Sequence, residues 1–268
     1  MSEFRPRSAV ITGGASGIGL AVARKLADGG TRVMLADLPG DRLDEAAASI
    51  KGALALPCDV SNLSQVQELA DAAFDQLGSV ELLFNNAGIG GPHGKMWEVS
   101  PDEARAHFEV NFYGVWNGCH AFIPRMIEQD RPSAIYNTGS ENSWFCAVPR
   151  TAAYIAAKHA VLGMTESLRE DLPDHVHAGL VIPGWVHTAI GEDRFMKYGM
   201  HADEFAGIIV PQMLARERFV VAHAYNAVRV HERIAALDEA FEKYAPRYEG
   251  DDEYDVKSVF AKLRAARD

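Results

Sequence analysis

The stretch Ala9-Val10-Ile11-Thr12-Gly13-Gly14-Ala15-Ser16-Gly17-Ile18-Gly19 decides how this chain is read. A short apolar run of strand length feeds a glycine-rich turn, and the turn opens a stretch of helical period from Gly17 to Asp28. Glycines at 13, 17 and 19 permit a tight bend, let backbone N–H groups approach an anion, and let the helix sit close to the strand. The first interval is longer than in the GxGxxG fingerprint, but the physical demands are the same. Taken alone, such a turn is either a structural bend or the cradle of a dinucleotide pyrophosphate.

Outward from this unit the alternation repeats. Apolar runs at Ala9–Ile11, Arg32–Ala36, Ala53–Leu56, Val80–Phe84, Ala134–Asn137 and Ala178–Ile182, with Arg218–Ala222 as a seventh, predict strands. Between them, Gly17–Asp28, Asp41–Ile50, Ser64–Leu77, Pro101–Glu128 and Ala152–Leu172 have helical period. Nearly continuous apolar strands must be covered on both faces, so the expected fold is α/β: one doubly wound, Rossmann-type parallel sheet with helices on either side. Val230, Ile234, Leu237, Phe241 and Tyr244 predict a last helix that packs on the sheet, stopped by Pro246. An acidic stretch, Glu249 to Asp255, precedes a terminal helix carrying Val256, Val259, Phe260 and Leu263. The expected organisation is one catalytic domain over 1–248 with a tail, 249–268.

The 268 residues contain 26 Lys and Arg against 37 Asp and Glu, a net charge of −11, which repels a nucleic-acid backbone. No apolar run is long enough to span a membrane, and Met1 to Arg7 lack the apolar core of a signal peptide, so the expected location is the cytoplasm. Cys58, Cys119 and Cys146 are too few and too scattered for a disulfide framework or a zinc site, and are read as buried, inert thiols. His175 and His177 share a strand face, but no further ligand completes a metal site, and none is expected.

Asp37 ends the second predicted strand, where a carboxylate accepts hydrogen bonds from both hydroxyls of an adenosine ribose and repels a 2′-phosphate. Followed by the neutral Leu38, it points to NAD over NADP; the alternative is a helix N-cap, a role for which Asp41 competes. Tyr154 and Lys158, four residues apart, lie on one helix face, where the ammonium can depress the phenol pKa and favour the phenolate. Any surface helix can carry such a pair. Upstream, Ala134 to Ser140 reads as a strand that places a hydroxyl at its C-terminal edge, where doubly wound sheets bind ligands.

Together with Asn85-Asn86-Ala87-Gly88, Asn111 and Pro183-Gly184-Trp185-Val186-His187-Thr188, these residues resemble the short-chain dehydrogenase/reductase family over roughly Ser8 to Thr188. The resemblance implies an NAD-dependent oxidoreductase interconverting a secondary alcohol and a ketone. It implies Ser140 as the hydroxyl that holds the substrate oxygen, Tyr154 as acid/base, Lys158 as the ribose-binding cation and Asn111 as the water-relay residue. It further implies cofactor contacts from Gly13, Ser16, Gly17, Ile18, Gly19, Asp37 and Leu38, from Asp59 and Val60 beside the adenine, and from Asn86, Ala87 and Gly88. Pro183, Gly184, Val186 and Thr188 would hold the nicotinamide side. Helices over Pro101–Glu128 and Ala152–Leu172 resemble those that bundle in the family's dimers, implying a homodimer or homotetramer.

Two features depart from the family pattern. Ser140 and Tyr154 stand one residue further apart than in many members, and Glu141-Asn142 replaces small residues beside the reacting carbon. The latter is either a solvent-facing loop or a sign of a substrate with polar substituents. After Thr188 the ending resembles, over a short stretch, bacterial aryl-alcohol and lignin-dimer Cα-dehydrogenases. Trp97, Trp144, Phe145, Trp185, Met196, Tyr198 and Met213 are candidate walls for a bulky apolar substrate, with His93 and His187 in reach. Rival readings are a 3-oxoacyl thioester reductase and a dinucleotide-sensing regulator without turnover.

Overall fold

The computed structural model describes residues 4–188, 190 and 196–265. The strands are β1 (Ser8–Thr12), β2 (Arg32–Asp37), β3 (Leu54–Pro57), β4 (Leu82–Asn85), β5 (Ser133–Thr138), β6 (Val176–Ile182), β7 (Val186–His187), β8 (Met200–His201) and β9 (Phe219–Val221). Seven of them form one sheet in the order β3-β2-β1-β4-β5-β6-β9, every pairing parallel, while β7 and β8 pair separately. The side-chain period of two sorts each apolar run between two cores. Ala9, Ile11, Val33, Leu35, Leu82, Phe84 and Tyr136 pack on one face with Val22, Leu26 and Leu43. Val10, Met34, Leu83, Ile135 and Leu180 pack on the other with Val66, Leu69, Phe122 and Val161.

The covering helices are α1 (Gly17–Asp28), α2 (Asp41–Ala48), α3 (Leu63–Leu77), α4 (Pro101–Phe108), α5 (Gly114–Glu128), α6 (Ala152–Asp171) and α7 (Ala202–Leu214). Local chemistry sets their ends. Asn62 caps α3 through Ser64 and Gln65, and Gly78 closes it at φ 77; Ser100 and Glu103 form a capping box around Pro101 at the start of α4.

Three features were not anticipated. The helix expected over Pro101–Glu128 is interrupted by a π turn, Glu109–Tyr113, between α4 and α5. α7 is an additional helix whose Phe205, Ala206, Ile209, Val210 and Met213 are buried. Cys146 is exposed, whereas Cys58 and Cys119 are buried as expected.

The chain divides into two compact units, Met1–Ala224 and Tyr225–Asp268. The second unit contains α8 (Asn226–Tyr244) and α9 (Val256–Ala265), neither with a buried residue. Ile234, Leu237, Phe241 and Tyr244 are exposed. In the first unit the strand order reverses between β1 and β4, which opens a crevice beyond the C-terminal edges of those strands.

Candidate active site

Four chain segments meet at that crevice. The glycine turn leaves β1 with Gly13 at φ 63 and Gly17 at φ 52, left-handed conformations that favour glycine. A Cβ on Gly13 would stand 2.8 Å from the Ala87 Cα, and one on Gly19 2.1 Å from the Gly13 carbonyl oxygen. The Ser16 side chain makes no capping bond to α1, and no acidic residue lies in its first turn. The helix N-terminus therefore keeps its N–H groups and positive dipole end for an anion, which fits a dinucleotide pyrophosphate. A cleft of about 580 Å³ adjoins the turn, lined in part by Ser16, Gly17, His187 and Thr188.

Asp37 closes on the same turn: its Oδ2 accepts the Ala15 N–H at 2.9 Å and its Oδ1 the Leu38 N–H at 2.8 Å. The helix that follows starts after Gly40 without a side-chain cap, so Asp37 is not its N-cap. Asp59 binds Ser61, Val60 is buried against Gly114, and the Asn117 amide donates to the Val60 carbonyl. Asn86 and Ala87 both donate backbone N–H groups to the Thr12 hydroxyl, tying the end of β4 to the turn. Gly88 sits where a Cβ would press on the Asn111 Oδ1 at 2.8 Å.

Ser140 follows β5 and starts a single 3-10 turn, Glu141–Ser143. Its Oγ accepts the Asn142 N–H at 3.1 Å and Nδ2 at 3.4 Å, so its own proton is free to donate, and Ser140 lies near enough to the Tyr154 phenol to lower its pKa. Lys158, 3% exposed, donates from Nζ to the Thr138 carbonyl at 2.7 Å and lies 5.8 Å from the Tyr154 ring centre. Ser143 clasps the two segments, donating to the Lys158 carbonyl at 2.7 Å. Asn111, fully buried in the π turn, completes the group. The expected depression of the phenol pKa is not what the protein alone produces. Burial pushes Tyr154 up, against the opposing hydrogen bond from Ser140, and pulls Lys158 down to about 8, because each charged form loses hydration.

A family model described as short chain dehydrogenase matches residues 7–199. The chain belongs to the short-chain dehydrogenase family. Among its relatives, the 1-deoxy-11-beta-hydroxypentalenate dehydrogenase of Streptomyces avermitilis is 41% identical over 192 residues, 69% of this chain and 71% of that protein. The Streptomyces exfoliatus protein of the same name is 38% identical over 229 residues, 81% of this chain and 82% of its own. The crystal structure of a short chain dehydrogenase/reductase from Burkholderia phymatum in complex with NAD matches with TM-score 0.83 and 31% identity, covering 92% of this chain and all 100% of that one.

Within this short-chain dehydrogenase the segment Pro183 to Thr188 is also held in place. Glu141 N–H donates to the Pro183 carbonyl, Gly184 N–H to the His223 Nδ1, Val186 pairs with Met200, and the Thr188 methyl packs on Gly17. Several candidate substrate contacts lie elsewhere. Met213 of α7 is fully buried in the core, and Trp144 packs edge-on against Phe219 at 5.7 Å. Asn142 is buried, and its polar atoms serve Ser140 and the Ala147 N–H, so it braces the loop instead of offering itself to a substrate. Trp97, Tyr198 and Trp185 are exposed, as is His93; Phe145 is half-buried and Met196 buried. His187 meets His201 edge-on at 6.3 Å. His175 and His177 each bond a backbone carbonyl.

One residue escaped the sequence reading. His107, one turn before Asn111, is buried beside Tyr154 with ring centroids 5.9 Å apart. The signal was present as a His four residues ahead of Asn111, a helical spacing that puts both on one face.

Proposed function

We propose that this short-chain dehydrogenase oxidises a secondary alcohol to a ketone, reversibly, with NAD. The observation that carries the reading is the convergence of Ser140, Tyr154 and Lys158 from two elements, with Ser140 near enough to the phenol to oppose the rise of its pKa and Lys158 fixed by the Thr138 carbonyl beside the Tyr154 ring. NAD, when bound, supplies the hydride acceptor and a cationic ring that favours phenolate. Ser140 donates its hydroxyl proton to the substrate oxygen as charge develops there. Tyr154 takes the alcohol proton, and Lys158 holds the adjacent ribose as a cation.

The cofactor reading draws on Gly13, Ser16, Gly17, Ile18 and Gly19 for the pyrophosphate, and on Asp37 with Leu38 for the adenosine ribose. Asp59 and Val60 flank the adenine, Asn86 to Gly88 line the adenosine side, Pro183 and Gly184 line the cofactor, and Val186 with Thr188 take the carboxamide. NAD is preferred over NADP because Asp37 is anionic and Leu38, 60% exposed, offers no positive charge to a 2′-phosphate. An apolar, bulky alcohol is the favoured substrate class, so 1-deoxy-11-beta-hydroxypentalenate belongs in the panel beside aryl secondary alcohols. The same reading includes a homodimer or homotetramer. The test is NAD reduction, followed at the nicotinamide absorbance, across that panel. Turnover of at least one alcohol supports it; tight NADH binding with no turnover of any would favour a sensor.

A further inference from the structure

His107 is 2% exposed, and its Nδ1 lies 3.2 Å from the Asn111 Nδ2, which also donates to the His107 carbonyl at 3.2 Å. Two backbone groups fix the way the Asn111 carboxamide faces. The Ile89 N–H requires its oxygen, at 3.3 Å, and the His107 carbonyl requires its nitrogen. Nδ1 must therefore accept, which leaves the ring proton on Nε2. Nε2 is buried and has no hydrogen-bond partner among the described residues. It faces Gly91, where a Cβ would stand 3.5 Å from Nε2 and 3.1 Å from the Tyr154 Cβ; glycine there lets His107 and Tyr154 approach each other.

Packing alone does not call for an imidazole at this position. A leucine would fill much of the volume without burying an unpaired donor, which costs free energy wherever it occurs. We propose that His107 is a positioning residue for proton transfer: as the Nε2–H tautomer it fixes the Asn111 carboxamide, and its ring holds the Tyr154 phenol in place. This rests on the reading of Tyr154 and Asn111 as parts of a dehydrogenase site. Lys158 and Tyr154 are the titratable groups that face the ring from α6. Burial, with a smaller contribution from Lys158, pulls the imidazole pKa down to about 4, so the ring is neutral at neutral pH.

The test uses His107→Leu, His107→Asn and His107→Gln in the full chain. The Asn side chain returns an acceptor to the Nδ1 position, whereas Gln reaches toward Nε2. With an alcohol that the wild type oxidises, His107→Leu lowers kcat about 3- to 10-fold, the kinetic equivalent of one net hydrogen bond, with KM and NADH affinity unchanged. His107→Asn recovers kcat and His107→Gln does not. Independently of turnover, imidazole 15N spectra of the wild type, assigned by the resonance lost in His107→Asn, report the Nε2–H tautomer. A wild-type kcat in His107→Leu, equal losses in the Leu and Asn variants, or an Nδ1–H or cationic ring each overturn the proposal. If the wild type oxidises no alcohol, the dehydrogenase reading fails, while the tautomer still decides whether His107 holds Asn111.

Discussion

Tyr154 and Lys158 are displaced in opposite directions by one cause, since burial disfavours a phenolate and an ammonium alike. Tyr154→Phe removes the proton acceptor and little volume, so kcat should fall about 10²- to 10⁴-fold while NADH affinity, measured by fluorescence quenching, is kept. Lys158 gives a pH signature in stability. Below its folded value of about 8 it is charged in both states, and the cost of burying the cation is fully present. Between about 8 and the unfolded 10.5 the folded lysine has released its proton and the unfolded one has not, so stability rises with pH. Urea unfolding of wild type minus Lys158→Met should show a gain of roughly 3 kcal/mol across that window; a flat difference counts against a depressed lysine. Asp37→Ala should erode the ratio of kcat/KM for NAD over NADP by the worth of a charged hydrogen bond, about 1.5–3 kcal/mol. The same substitution strips the Ala15 N–H of its acceptor, so NAD affinity should fall as well.

At the scale of elements, the site depends on joints between segments. The π turn swells the helix between α4 and α5 and places Asn111 at the crevice, beside His107 one turn earlier. α7 is anchored to the sheet by Tyr136 of β5, whose hydroxyl lies 3.0 Å from the Met213 carbonyl at the helix end and 3.3 Å from that of Glu217. Tyr136→Phe should cost about 1 kcal/mol, plus the penalty of a buried unpaired carbonyl, read as a lower urea midpoint with unchanged slope. An unchanged midpoint would mean that packing alone holds α7.

At the scale of the whole molecule, charge and exposed apolar surface bear on association. Trp116, Ile123, Pro124, Met164 and Leu168 line a groove of about 350 Å³ along α5 and α6, on helices whose other faces cover the sheet. An apolar groove of this kind fits a subunit interface, and light scattering should return a mass of two or four chains. A mass of one chain would remove the oligomer from the proposal. No helix among the described residues is long and apolar enough to cross a membrane.

Much of this was written in the sequence. The spacing of Gly13, Gly17 and Gly19 announced a strand, turn and helix because glycine adopts the left-handed φ of Gly13 and Gly17 at least cost and leaves room for the backbone contacts at Gly13 and Gly19, and the apolar runs announced a parallel sheet because both faces had to be buried. Ser140, Tyr154 and Lys158 were legible as a set through resemblance, whereas α7 was missed: Phe205, Ala206, Ile209, Val210 and Met213 recur at helical spacing, but Pro211 interrupts the pattern. Tertiary structure decided the rest. Which way two pKa values move depends on hydration lost in the fold, which no spacing encodes. That Met213 is core and that His107 stands behind Tyr154 depend on contacts between segments far apart in the chain. A local pattern limits what a residue can do, but its neighbours in space determine which of those things it does.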